Sequence, residues 1–208
     1  MKIEDYEVLI FDCDGVILDT NKLKVSAFKK VLDEFGISHV QKFLDYFKRN
    51  FGRSRYIHVK YFIEDILKRT FDEELYNRIL IDYGYQCQLL YKSAQICEGV
   101  ILLLEQTKNK TKYVASGSDQ SELRDVFKLR GIDHYFESIY GSPKLKNDLV
   151  EDIHRVNQEK SILLIGDSEA DYIAAASSSI DFLFVSRYSM DNENMSNLSK
   201  VNRYGIYR

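Results

Sequence analysis

Asp12 and Asp14 follow the run Glu7-Val8-Leu9-Ile10-Phe11, and Gly15 comes directly after them. In an extended chain residues i and i+2 point the same way, so this spacing projects two carboxylates together from a strand tip. Neighbouring acids repel unless a cation or a shared proton relieves them. The pair therefore suggests chemistry, with a surface turn rich in Asp and Gly as the plain alternative. Other reactive types also follow apolar runs. Ser116, Gly117 and Ser118 come after Tyr113-Val114-Ala115, and Gly166, Asp167, Ser168 and Asp171 come after Ile162-Leu163-Leu164-Ile165. Lys144 and Lys146 stand before an amphipathic stretch at 146–157. Singly, the serine reads as a helix cap, the Gly-Asp pair as a turn and a loop lysine as solvated. Together they gather carboxylates, a hydroxyl and an ammonium at one sheet edge.

The elements that must position them are legible from periodicity. Apolar runs at 7–11, 111–115, 138–140, 161–165 and 181–185 predict five strands. Between the later ones, Leu123, Val126, Phe127 and Arg130 recur at helical spacing before Gly131, and Leu149, Val150, Ile153 and Val156 form a second stripe. Strands alternating with helices argue for an α/β fold with a parallel sheet covered on both faces. The first two strands break this rhythm, because helical stripes fill the stretch between them. Ala27, Phe28, Val31, Leu32 and Phe35 form one, and Ile79, Leu80, Tyr83, Cys87, Leu90, Tyr91 and Ala94 another. We read this stretch as a helical cap, residues 19–98, inserted into a core of residues 1–18 and 99–208, with joints near Leu18–Asn21 and Cys97–Gly99. Such an insert can cover the carboxyl ends of the strands, where open α/β sheets bind ligands. The polar segment 189–200 reads as a loop.

Composition excludes other classes. A net charge of −3 offers no basic field for nucleic acid. The N-terminus lacks the apolar run of a signal peptide, and no stretch has the length of a membrane span. The three cysteines, Cys13, Cys87 and Cys97, are an odd number without metal-like spacing, which fits free thiols in a cytoplasmic protein. His39, His58, His134 and His154 show no ligand spacing and read as surface or packing residues.

The segment Asp12-Cys13-Asp14-Gly15-Val16-Ile17-Leu18-Asp19-Thr20 resembles the first motif of the haloacid dehalogenase-like hydrolase superfamily. Ser116 matches its second motif, Lys146 (or Lys144) its third, and Gly166-Asp167-Ser168 with Asp171 its fourth. The insert looks like the cap of the phosphoglycolate phosphatase and β-phosphoglucomutase branch. Two departures are Ser177-Ser178-Ser179, where relatives commonly carry Gly, and Ser142-Pro143-Lys144-Leu145-Lys146, where many carry Lys-Pro-x-Pro.

The resemblance implies a Rossmann-like core and a Mg²⁺-dependent phosphatase acting on a small phosphorylated metabolite, such as a sugar phosphate. Asp12 is then the nucleophile and Asp14 the general acid and base. Mg²⁺ would sit on Asp12, the backbone carbonyl of Asp14 and Asp167, with Asp171 orienting Asp167. Lys146 would offset charge, while Ser116 and backbone N–H groups near Gly117 hold the phosphoryl oxygens. Carbon–halogen cleavage needs no acid for its leaving halide, so Asp14 argues against a dehalogenase. In the cap, Arg53 and Arg55 of Gly52-Arg53-Ser54-Arg55-Tyr56 could clamp a carboxylate or second phosphate, or be solvated or helix-capping. The rivals are a phosphomutase and a catalytically lapsed phosphate-binding module.

Overall fold

The computed structural model describes residues 2–190, Met195 and, as backbone alone, residues 202–203. Most of the expected 189–200 loop lies outside the described residues. Six parallel strands form one sheet in the order β3-β2-β1-β4-β5-β6. They are β1 (Val8–Phe11), β2 (Thr111–Asp119), β3 (Ser138–Ser142), β4 (Ile162–Gly166), β5 (Asp181–Phe184) and β6 (Asn202–Arg203). β1 is central and wholly buried because all four of its residues are apolar. Its alternate side chains feed two cores. Leu9 and Phe11 join Val114, Leu163 and Ile165 on one face, while Val8 and Ile10 join Ala115, Ile162 and Leu164 on the other. This is the two-faced burial that a helix-covered parallel sheet requires.

Helices α1 (Asn21–Val31), α2 (Ile37–Arg49), α3 (Arg55–Tyr61) and α4 (Glu73–Ser93) fill the stretch between β1 and β2. Their apolar stripes converge on Phe28. Its ring stacks on Tyr83 at 3.6 Å and meets Phe43 and Phe47 edge-on at 4.9 and 4.8 Å. The chain enters and leaves this helical stretch side by side, since Leu18 bridges Ile96 and Cys97 N donates to Ile17 O at 2.9 Å. The remaining helices, α5 (Val100–Gln106), α6 (Gln120–Leu129), α7 (Lys146–Val156) and α8 (Glu169–Ser177), cover the sheet. No described helix is long and apolar enough to cross a membrane.

β2 runs four residues beyond the expected 111–115, and its pairing with β3 is irregular between Ala115 and Asp119. That irregular end carries Ser116, Gly117 and Ser118, which are too polar to read as strand from periodicity alone. β6 has only two residues, too few for a pattern.

Because Phe28 links three helices and is fully buried, Phe28→Ala should lower unfolding free energy by about 3–5 kcal/mol. Urea denaturation followed by circular dichroism checks this; a loss below about 1 kcal/mol, the range of a tolerated core swap, would show that the ring does not organise the packing.

Candidate active site

Register brings the acids together. β1 pairs with β4 so that Phe11 lies opposite Ile165, and Asp12 N continues the ladder by donating to Ile165 O at 2.9 Å. Asp12 and Asp167 therefore leave adjacent strands at the same level. Gly15 turns the chain away with φ +77°, and a side chain there would collide with the Asp167 carboxylate. Asp12, Asp167 and Asp171 each offer a carboxylate oxygen, all within 4.8 Å of one another, and all three are buried.

One ammonium serves this cluster. Lys146 opens α7 and its Nζ lies 2.6 Å from Asp171 Oδ1 and 3.1 Å from Asp12 Oδ1. Lys144 instead is exposed and pairs with Asp152 on the surface. Asp171 also accepts from Ser168 N and Oγ at the start of α8, so its carboxylate is fully engaged. Asp167 accepts from Asn21 Nδ2 at 2.6 Å, and the same amide donates to Tyr188 O. Asp12 Oδ1 has its ion pair with Lys146 but completes no hydrogen bond. Three buried carboxylates whose oxygens approach one another this closely suit a hard divalent cation.

Asp14 has a different setting. Thr20 Oγ1, Lys24 Nζ and Ser118 Oγ donate to it at 2.5–2.6 Å, and Tyr91 OH approaches at 3.3 Å. Lys24 comes from α1, Tyr91 from α4 and Ser118 from β2, so the helical stretch and the sheet meet on this one carboxylate. Ser116, buried beside them, accepts a hydrogen bond from Ser118 N.

The electrostatics of the two motif acids diverge. Burial pushes Asp12 up to about 7, with Asp171 and Asp14 adding to the rise and Lys146 opposing it. Burial and the charges of Asp12 and Asp171 also push Asp167 well above the usual carboxylate range. Burial acts upward on Asp14 too, but the Lys24 ammonium and the hydroxyl donors outweigh it and hold Asp14 below its ordinary value.

Asp12, Asp14, Ser116 and Asp167 line a cavity of about 30 Å³, walled on the other side by the helical stretch through Phe28, Phe47, Phe51, Arg55, His58 and Tyr83. The loop before α3 closes its mouth. A Cβ on Gly117 would fall 2.4 Å from Gly52 O, and one on Gly52 would fall 2.4 Å from Ser168 Oγ. Of the two arginines that could clamp an anion, Arg55 bonds Glu122 of α6 through both terminal nitrogens, at 2.8 and 2.5 Å, while Arg53 is exposed at the rim. His58 is buried and packed against Tyr46 and Phe47 beside the cavity, the packing alternative of its sequence reading. Lys24, Asn21, Tyr91 and Glu122 were not singled out from the sequence. Only Lys24 carried a signal, a charge one turn before Phe28 on the apolar face of α1.

A family model described as haloacid dehalogenase-like hydrolase matches residues 9–185. Among solved structures, a β-phosphoglucomutase from Clostridium difficile is similar at 24% identity and TM-score 0.74, covering 92% of this chain and 87% of its own. A hydrolase from Pseudomonas syringae gives 18% identity and TM-score 0.76, with 95% and 92% covered. A haloacid dehalogenase-like family hydrolase from Streptococcus pneumoniae gives 19% identity and TM-score 0.68, with 98% and 96% covered. No curated protein matches the chain.

The raised Asp12 and Asp167 fix a pH dependence for the metal-free protein. Asp12 keeps its proton to about pH 7 when folded and releases it near pH 3.8 when unfolded, so the folded state binds more protons between those values. Stability should therefore fall as pH rises through that window, and a divalent cation added above pH 7 should restore it. Thermal melts from pH 5 to 8 with and without the cation measure both effects; a metal-free melting temperature that climbs toward pH 7 contradicts the shift.

Proposed function

The chain belongs to the haloacid dehalogenase-like hydrolases and is a phosphoric monoester hydrolase; we propose that it cleaves a small phosphorylated metabolite, a sugar phosphate being the favoured class, through an aspartyl-phosphate on Asp12. The observation that carries this reading is the Asp12 carboxylate itself. It is buried, Lys146 Nζ lies 3.1 Å from its Oδ1, Asp167 and Asp171 stand beside it, and Ser116 and Gly117 line the same cavity. Asp12 attacks phosphorus, and the phosphorus–oxygen bond to the leaving group breaks. Lys146 offsets charge on the nucleophile. Ser116 Oγ and backbone N–H groups near Gly117 hold the phosphoryl oxygens, so positioning and electrostatics supply most of the acceleration.

Asp12, the Asp14 carbonyl and Asp167 would hold Mg²⁺, which supplies charge neutralisation for the nucleophile and phosphate when bound. Asp171 holds Lys146 and the start of α8, and so positions the cluster. Asp14 is the proton carrier for the leaving oxygen and then for the attacking water. Lys24 keeps its carboxylate ionised in the resting protein, and an arriving phosphate dianion adds like charge that favours proton uptake. The helical stretch acts as the cap. Free, buried thiols at Cys13, Cys87 and Cys97 support a cytoplasmic setting.

The close approach of Gly52 to Gly117 over the cavity favours one second reading, a phosphomutase that excludes water and returns the phosphoryl group to substrate. Inorganic phosphate as product selects the phosphatase, and an isomerised sugar phosphate selects the mutase. The joint presence of Asp12, Asp14, Lys146 and Asp167 speaks against a lapsed module.

Asp12→Asn should reduce phosphate release from p-nitrophenyl phosphate by more than about a thousandfold while the protein stays folded, the scale expected on losing a covalent nucleophile. Colorimetric turnover with a parallel thermal melt tests this, and near-normal turnover removes Asp12 from its role. Chelation should likewise stop turnover, with Mg²⁺ restoring it; full activity in excess chelator contradicts the cation site.

A further inference from the structure

Helix α4 leaves one of its faces without a partner. Its buried side, Leu75, Ile79, Tyr83, Cys87 and Tyr91, packs on α1 and α6. On the side turned away from them, Ile81 is 72% exposed and Tyr85 60%, and Leu89 beside them is 42% exposed. Single exposed apolar side chains are ordinary on a protein surface. These three instead recur every fourth residue, which lays a continuous apolar strip along the helix. Leu129 of α6, also exposed, borders a groove with Gln88 and Lys92 at the edge of that strip.

The two ends of the strip carry opposite charge. Glu74 lies seven residues before Ile81 and Lys92 seven after Tyr85, and both are exposed. Eighteen residues separate Glu74 from Lys92, five full turns at 3.6 residues each, so both lie on the line that Ile81 and Tyr85 straddle. Neither enters an ion pair among the described residues. Arg78, the other charge near this line, is already held by Glu34. The helix dipole accounts for an acid in the first turn and a base in the last, but not for their common phase.

Read backwards, the ridge Glu74-Ile81-Tyr85-Lys92 is complementary to itself. A two-fold axis passing α4 at the level of Tyr83 would set Ile81 opposite Tyr85 and Glu74 opposite Lys92, once at each end. A parallel pairing would set Glu74 against Glu74 and Lys92 against Lys92. Self-complementarity about a two-fold is what a closed dimer requires. We propose that this face of α4 is the seam of a homodimer in which two copies pair antiparallel. With 21 residues the helix is about 31 Å long, and one ridge of that length falls below the roughly 1,200–2,000 Å² buried in tight complexes. The dimer is therefore a weak one, forming at micromolar concentrations. α4 also carries Tyr91 to Asp14 and Ser118, so pairing fastens together the helical stretches of the two copies. None of this depends on which reaction the site performs.

Sedimentation velocity of the full chain from about 1 to 200 μM should show a monomer–dimer equilibrium with a dissociation constant of about 1–100 μM. A monomer throughout that range overturns the proposal and leaves the ridge to solvent or to another protein. Ile81→Glu sets a charge against the partner ring and should weaken association at least about tenfold; unchanged association overturns the seam. Glu74→Lys and Lys92→Glu each set like charges opposite one another at both ends and should each weaken the dimer about fivefold. The double variant should return to within about twofold of the original, and a double variant no better than the singles overturns the antiparallel pairing. Thermal melts confirm that each variant is folded, and should Ile81→Glu fail to fold, the charge exchange still decides.

Discussion

Three buried carboxylates share one ammonium at the carboxyl edge of the sheet, and the rest of the structure is arranged around that imbalance. Parallel pairing of β1 with β4 makes it unavoidable, since a register that places Phe11 opposite Ile165 delivers Asp12 and Asp167 to the same level. Lys146 pairs with Asp12 and Asp171, while Asp167 takes its hydrogen bond from the uncharged Asn21 amide. Buried like charges oppose folding, so their cost must be carried elsewhere. The apolar strand faces and the aromatic packing around Phe28 carry it. Three carboxylates at this spacing could hold a metal ion.

The helical stretch is tied to the sheet through polar links that lie at or beside the reacting centre. Lys24 and Tyr91 reach Asp14 and Ser118, Arg55 reaches Glu122, and Tyr56 reaches Asp119. Gly52 and Gly117 allow the backbones to touch where any side chain would hold them apart. The helical stretch thus lies directly over the carboxyl edge of the sheet, and the Lys24–Asp14 ion pair crosses that junction.

Much of this architecture was legible because parallel strands buried on both faces are written as short unbroken apolar runs. The stretches 119–130 and 146–157 became Gln120–Leu129 and Lys146–Val156, since periodicity marks both and Asp119 caps the first. The strand-end residues Asp12, Ser116 and Asp167 could be singled out because the α/β architecture says where they go. The polar residues of α1, α3 and α4 could not. Asn21 meets Asp167 across 146 positions and Arg55 meets Glu122 across 67, and nothing local in the sequence says which helix face turns inward. His58 is the clearest case. Its spacing is uninformative, and its burial between Phe47 and the cavity follows only from the packing of α2 against α3.

Two carboxylates two residues apart thus sit in opposite environments. Asp12 is raised because it is buried among acids, and Asp14 is lowered because Lys24 and two hydroxyls outweigh its burial. The proposed mechanism casts them as nucleophile and acid, and at rest their states are the reverse of those roles. Within that proposal, positive charge beside Asp12 would favour its ionised form, and a phosphate dianion beside Asp14 would favour uptake of the proton that the leaving oxygen needs. Each acid would then reach its working state only with its partner in place.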